Sequence, residues 1–180
     1  MTVDPIRSKE DIKKLKELAE GRDRLLLEIG FNSGLRIGDI LRITAGDIKN
    51  NKYINIKEQK TGKGRKVSLP NIVKQMALEY IKDNNLKDGD YLFQSREGGN
   101  KAISSVQAYR VIKTLAKKAK LKEKIGTHTL RKSYGFHHYR QYKDVALLQS
   151  IFNHSTPKIT LDYIGVTQDE IDKTAQEMYL

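Results

Sequence analysis

KYINIKEQKTGKGRKVSLP, residues 52–70, is the one stretch of this chain in which apolar and polar residues clearly alternate. In KYINIKEQ the alternation has the period of two expected of a half-buried strand, TGKG supplies a turn, and RKVSL alternates again before Pro70. The reading is a β-hairpin with a basic tip. It fixes the fold class, because nearly everything on either side of it has helical spacing.

Upstream, Ser8-Lys9-Glu10-Asp11 has the form of a capping box, followed by Ile12, Leu15, Leu18 and Ala19 at helical spacing, with Gly21 as the stop. A second helix carries Leu25, Leu26 and Ile29 and ends near Asn32-Ser33-Gly34, where glycine can take the left-handed conformation. A short third helix runs from about Ile37 to Ile43. Downstream of Pro70 the pattern predicts helices over about 71–83, 103–120, 128–141, 144–152, 157–164 and 167–179, with the loop LKDGDYLFQSREGGNK before the second of these. The expectation is one mainly helical domain over residues 1–180 with a small antiparallel sheet, an α+β fold.

Composition bounds the function. The chain has 180 residues, enough for a core without staples, and no cysteine, which excludes a disulfide framework and the common thiolate zinc sites. No apolar run is long enough for a membrane span, and MTVDPIRSKED lacks the apolar centre of a secretion signal, so a cytoplasmic location is expected. Lys and Arg number 34 against 22 Asp and Glu, a formal charge of +12, which points to a polyanion, nucleic acid before membrane. The basic residues concentrate in KTGKGRK (60–66) and KTLAKKAKLKEK (113–124) rather than on one amphipathic helix.

Two short stretches carry candidate chemistry. In GTHTLR, residues 126–131, His128 and Arg131 are three apart at a helix entrance and share a face, so both can address one small anion, a phosphate first; the plain alternative is two unrelated surface residues. In NSGLRIGDILRI, residues 32–43, Arg36 lies between Leu35 and Ile37, and a guanidinium among apolar neighbours needs a partner. Asp39 is the nearest candidate, and an internal Arg36–Asp39 pair that only ties helices together is the structural alternative.

Read in order, Arg36 with Asp39, Lys60 at the hairpin turn, His128-x-x-Arg131, His154 in NHST, and Tyr163 nine residues later resemble the constellation of the tyrosine recombinases, the phage-integrase family. GLRIGDI is similar to that family's first-arginine motif, KTGKGR to its lysine hairpin, HTLR to its His-x-x-Arg box, NHST to its histidine motif and TLDY to its nucleophile segment. The resemblance implies the recombinase catalytic-domain fold, shared with DNA breaking-rejoining enzymes. It also implies strand cleavage and rejoining through a 3′-phosphotyrosyl intermediate, with no metal and no cofactor. Arg36 and Arg131 would clamp the phosphate, His128 would take the proton of Tyr163, Lys60 would act as general acid, His154 would donate to a phosphate oxygen and Asp39 would support Arg36. Lys63, Arg65 and Lys132 are expected at the DNA. The implied partners are double-stranded DNA and, on paired sites, three further copies in a homotetramer, the free chain being a monomer; the source would be bacterial, phage or another mobile element.

Three departures stand against the family pattern. Asn153 replaces the usual glycine before His154, Gly135 interrupts the helix after Arg131, and the N-terminal helical domain that completes a DNA clamp is not expected in this chain, which reads as a catalytic fragment or a minimal form. Tyr134, Tyr139 and Tyr142 are expected to pack or touch phosphate, Tyr179 fits the family spacing less well than Tyr163, and the neighbours His137 and His138 are expected at the surface or toward DNA. Thr167, Glu170, Ile171, Ala175 and Met178 predict a tail helix within 165–180. Two other functions remain open at this point: a topoisomerase-like enzyme, and a bare helix-turn-helix in DVALLQSIFNHSTPKITLDYIG with Ala146, Leu147, Leu148 and Ile151 as its core face.

Overall fold

The computed structural model describes residues 3–57, 62, 64–166 and 176–178. Nine helices and one hairpin are present among them: α1 Lys9–Glu17, α2 Gly21–Ser33, α3 Ile37–Ile40, α4 Ala45–Lys49, β1 Ile54–Lys57, β2 Gly64–Val67, α5 Asn71–Asp83, α6 Ser105–Lys118, α7 Thr127–Tyr142, α8 Val145–Phe152 and α9 Pro157–Ile164. The hairpin expectation holds. β1 and β2 are antiparallel, with Ile54 opposite Val67 and Lys57 opposite Gly64, so Ile54, Ile56 and Val67 share the buried face. Lys60 and Lys63 lie outside the described residues, and so does most of the expected tail helix.

Burial explains the order of the layers. α2 is apolar nearly all round, from Leu25 to Phe31, and so lies at the centre, packed against α5 and α7. Its buried carboxylate, Glu28, is satisfied by Lys16 at 2.6 Å and Arg24 at 2.9 Å. One core cluster joins α2 to α3, α4, the hairpin, α5 and the start of α6; a second joins α1, α2, α6 and α7. A third and smaller one holds α8 and α9 through Leu148, Phe152 and Ile164. Each fully buried Leu, Ile or Phe contributes about 1.5–3 kcal/mol.

Several local readings need correction. Gly21 does not merely stop α1; at φ +49° it is the first residue of α2. Leu18, expected on the apolar face, caps α1 and is exposed. The third helix ends at Ile40, and a separate turn, α4, follows because Thr44 and Asp47 cap it reciprocally: the Thr44 hydroxyl accepts from Asp47 N, and the Asp47 carboxylate accepts from Thr44 N at 2.8 Å. The charged loop over 86–101 is ordered by backbone pairing of Leu92 with Ile43 and Ile103 with Phe93, with both Leu92 and Phe93 fully buried. Among the described residues no helix is long and apolar enough to cross a membrane.

An extended segment, Val3 to Arg7, is laid along α7. Asp4 N donates to Lys124 O, Ile6 N donates to the Ser133 hydroxyl at 2.8 Å, and Arg7 Nη2 donates to Gly165 O at 3.1 Å. It therefore touches the chain just before His128 and just after Tyr163.

Candidate active site

α7 is the spine of the site. Gly126 precedes it because Val3 packs so closely that a Cβ there would come within 2.8 Å of the valine. Gly126 N donates to the Thr129 hydroxyl at 3.0 Å, which starts the helix and leaves His128 exposed in its first turn. One turn further, Arg131 points into the protein and is only 2% exposed.

Arg131 joins three parts of the chain. Its two terminal nitrogens donate to Gly34 O and, at 2.8 Å, to Phe152 O, while the guanidinium carbon lies 4.4 Å from the centre of the Phe152 ring. Gly34 is the left-handed cap of α2, φ +62°, and leads directly into Leu35 and Arg36. Arg36 takes the N-cap position of α3 in an extended conformation, half-buried, with Asp39 buried in the same first turn. The backbone N of Asp39 donates to Arg36 O at 3.0 Å.

Phe152 ends α8, and Asn153 then adopts φ +53°, ψ +45°. Asparagine tolerates this left-handed turn better than most side chains, so replacing the usual glycine leaves the turn intact. The turn delivers His154, whose Nδ1 lies 3.1 Å from the Thr160 hydroxyl. α9 is capped by Thr156, whose hydroxyl accepts from Ile159 N, and carries Tyr163 back over the site.

Tyr163 meets the other candidates from within the same chain. Its hydroxyl is 3.2 Å from His128 Nδ1, and its ring stands edge-on to His154 at 5.1 Å and to Phe152 at 5.5 Å. Burial pushes the phenol pKa up from its ordinary value, opposed by the charges of Arg131 and Arg36 and by a hydrogen bond from Arg131. In this structure desolvation outweighs the arginines, so Tyr163 is a neutral phenol at neutral pH. Its hydroxyl has the imidazole of His128 at hydrogen-bond distance.

Five of the residues singled out from the sequence, Arg36, His128, Arg131, His154 and Tyr163, are thus brought together, with Asp39 in the turn that Arg36 caps. The ammonium of Lys132, expected at the DNA, lies 5.3 Å from the Tyr163 ring centre, and burial lowers its pKa against the pull of Asp4. Arg65 is half-buried on β2, close enough for its charge to act on Tyr134. His137 turns inward rather than outward, with Nε2 3.0 Å from Ile6 O, and His138 sits between the rings of Tyr134 and Tyr142.

Two participants were not visible in the sequence. Phe152 touches Arg131, His154 and Tyr163 at once, yet its position in the chain looks like any apolar helix end. Thr160, fully buried, partners His154; its spacing of six from that histidine is the only signal that could have marked it. Gly135, which interrupts the expected helix pattern, has a packing cause, since a Cβ there would fall 2.6 Å from both Ile164 and Phe152. The bare helix-turn-helix reading fares worse: of its expected core face, Leu148 is buried and Ile151 half-buried, but Ala146 and Leu147 are exposed, and α9 turns Tyr163 into the site.

Comparison with known proteins agrees with this arrangement. The probable integrase/recombinase YoeC of Bacillus subtilis is 45% identical over 170 residues, 93% of this chain and 92% of that protein. Tyrosine recombinase XerA of Pyrococcus furiosus is 26% identical over 178 residues, 96% of this chain but 61% of that protein, so the chain spans less than two thirds of that relative. Among solved structures, a XerA recombinase superposes with a TM-score of 0.79 at 23% identity, over 97% of this chain and 65% of the other. The catalytic domain of bacteriophage HP1 integrase gives 0.64 at 18% identity, over 96% and 94%. The sequence also matches the model of the phage integrase family over residues 7–170, a span that contains every residue of the cluster around Tyr163, and the chain belongs to that family.

Proposed function

We propose that this chain is the catalytic domain of a site-specific DNA recombinase that cuts and rejoins strands through Tyr163. The observation that carries the reading is the 3.2 Å approach of His128 Nδ1 to the Tyr163 hydroxyl, beside Arg131 and within reach of the charge of Arg36. A phenol with a base at hydrogen-bond distance and two guanidiniums nearby is arranged for in-line attack on a phosphodiester.

In the proposed step the Tyr163 oxygen attacks phosphorus and its proton passes to His128. Arg36 and Arg131 hold the non-bridging oxygens as negative charge grows on them, and His154 donates to one of those oxygens. The phosphorus–O5′ bond breaks, and the departing 5′ oxygen takes a proton from Lys60, a role resting on the family resemblance. The tyrosyl ester conserves the energy of the broken bond, so a 5′ hydroxyl from another strand reverses the step without ATP.

The proposed substrate is double-stranded DNA, and the proposed working form is a tetramer on paired sites. Two structures related in fold support this by their own contents: a XerH site-specific recombinase in a post-cleavage complex with its palindromic difH substrate, and a lambda integrase tetramer on a Holliday junction. Lys63, Arg65 and Lys132 are proposed DNA contacts in a chain of net charge +12.

A suicide substrate nicked beside the cleavage position tests the reading, with DNA from the sites bounding the element that encodes the protein. The wild-type chain should form a covalent adduct that maps to Tyr163. Tyr163→Phe should bind the same DNA and form none. An adduct on another residue, or hydrolysis without an adduct, rejects the proposal.

A further inference from the structure

Thr160 lies in the middle of α9, fully buried, three residues before Tyr163. Its hydroxyl makes two contacts: it donates to the Thr156 carbonyl one turn back, at 3.3 Å, and it lies 3.1 Å from His154 Nδ1. A hydroxyl has one hydrogen. With that hydrogen directed to Thr156 O, the face toward His154 is a lone pair, and Nδ1 must supply the hydrogen of the shared bond.

The rest of His154 is held equally firmly. Its backbone N donates to Gln149 O at 3.1 Å, and its carbonyl accepts from Gln149 Nε2 at 3.1 Å. Its ring lies between Phe152, tilted to it at 5.2 Å, and Tyr163, edge-on at 5.1 Å. Backbone pins fix where the ring starts, the two aromatic rings restrict its tilt, and the Nδ1 bond fixes its remaining rotation. A ring held this way is fixed in both tilt and rotation, and with them the direction of Nε2.

From these contacts we propose that Thr160 is a positioning residue for strand cleavage. Its hydroxyl sets the tautomer and rotation of His154, aims Nε2 at the phosphate, and couples that aim to the helix that carries the nucleophile. The inference rests on the reading of His154 as a phosphate ligand given above. The chemistry follows from hydrogen count: with Nδ1–H committed to Thr160, His154 donates through Nε2 as an imidazolium, bonding Thr160 and the phosphate at once. His154 then contributes a positive charge as well as a hydrogen bond, alongside Arg36 and Arg131. Because Thr160 and Tyr163 share α9, any shift of that helix turns the histidine together with the tyrosine.

The test has a spectroscopic arm and a kinetic arm. Nitrogen-15 spectra of the histidine rings in the full chain, with His154 assigned by its loss in His154→Gln, report the tautomer of the neutral ring. The expected wild-type signature is Nδ1–H, and in Thr160→Val, which keeps the shape but removes the hydroxyl, it should move toward Nε2–H. A wild-type ring that already carries its hydrogen on Nε2 overturns the proposal without any appeal to a variant.

In the kinetic arm, Thr160→Val should cleave the suicide substrate about tenfold or more slowly at saturating DNA, with DNA affinity unchanged, the effect expected of a misaimed group. Thr160→Ser restores the hydroxyl and should restore the rate. In a His154→Gln background, Thr160→Val should add no further loss. If His154→Gln itself cleaves normally, the underlying reading of His154 fails. If His154→Gln is slow but Thr160→Val is as fast as wild type, or if Thr160→Val costs the same fold-loss with and without His154→Gln, the positioning role alone fails.

Discussion

Arg131 donates to the carbonyl of Gly34, 97 residues earlier in the chain, and with the other prong of its fork to the carbonyl of Phe152. One side chain therefore holds the turn before Arg36 against the turn before His154. Arg131→Lys keeps the charge but cannot span both carbonyls, so strand cleavage should fall by about 100-fold or more. Arg131→Ala leaves two buried acceptors without this donor and should also cost about 2–3 kcal/mol of stability. Urea denaturation beside single-turnover cleavage separates the two effects, and a lysine variant with near-normal cleavage would remove Arg131 from the phosphate clamp.

Gly135→Ala tests the packing behind Tyr163. Alanine favours a helix by about 1 kcal/mol over glycine, but its Cβ would sit 2.6 Å from Ile164 and Phe152, an overpacking that costs about 1–3 kcal/mol. Phe152 is fully buried and touches Tyr163, so it cannot yield without moving the tyrosine. The expected outcome is a lower melting temperature together with slower adduct formation. A variant more stable than wild type and equally active would show that α9 rides outward freely.

His128 is exposed, in contrast to Arg131, and its removal should be felt in chemistry alone. His128→Ala is expected to slow cleavage by about 100- to 10,000-fold while the denaturation midpoint stays where it was. Raising the pH should recover part of the lost rate, because the phenol then needs less help. A pH-independent defect would assign the proton to another acceptor.

Stability should fall on both sides of neutral pH, for opposite reasons. Burial lowers the pKa of His137 and of His138 below the ordinary 6.5, so each is held neutral in the fold, and the stability this represents is present above 6.5 and lost as pH falls through the depressed values. Burial raises Tyr80, Tyr134 and Tyr163 above 10.0; their contribution is present below 10.0 and lost as pH rises through the elevated values. Urea midpoints measured across pH should show both limbs, and a variant with His137→Gln and His138→Gln should have a shallower acid limb. An unchanged acid limb would mean that neither imidazole is linked to folding.

The parts of the fold that were legible in the sequence are those set by local periodicity and caps. The hairpin, α5 and the helices from α6 to α9 fall within a few residues of where alternation and apolar spacing put them, and Gly34 does end α2. α4 was missed because a five-residue helix has no period to detect and depends on the Thr44–Asp47 cap. The order of the motifs identified the family and the members of the cluster. It did not reveal Phe152, Thr160 or the inward turn of His137, because those depend on which faces meet across α7, α8, α9 and the segment before α1, and that is decided by tertiary packing.

Among the described residues, Tyr163 packs against the smallest of the three core clusters, the one built on Leu148, Phe152 and Ile164. Cooperative opening of a protein proceeds through its least buried units first. On warming, α8 and α9 should separate from α7 while the two larger clusters still hold, so strand cleavage would cease several degrees below the main calorimetric transition and return on cooling. Amide hydrogens of Leu148 to Ile164 would exchange ahead of those of α2. A recombinase arranged this way can have its chemistry withdrawn by a modest pull on one edge, without unfolding the remainder of the domain.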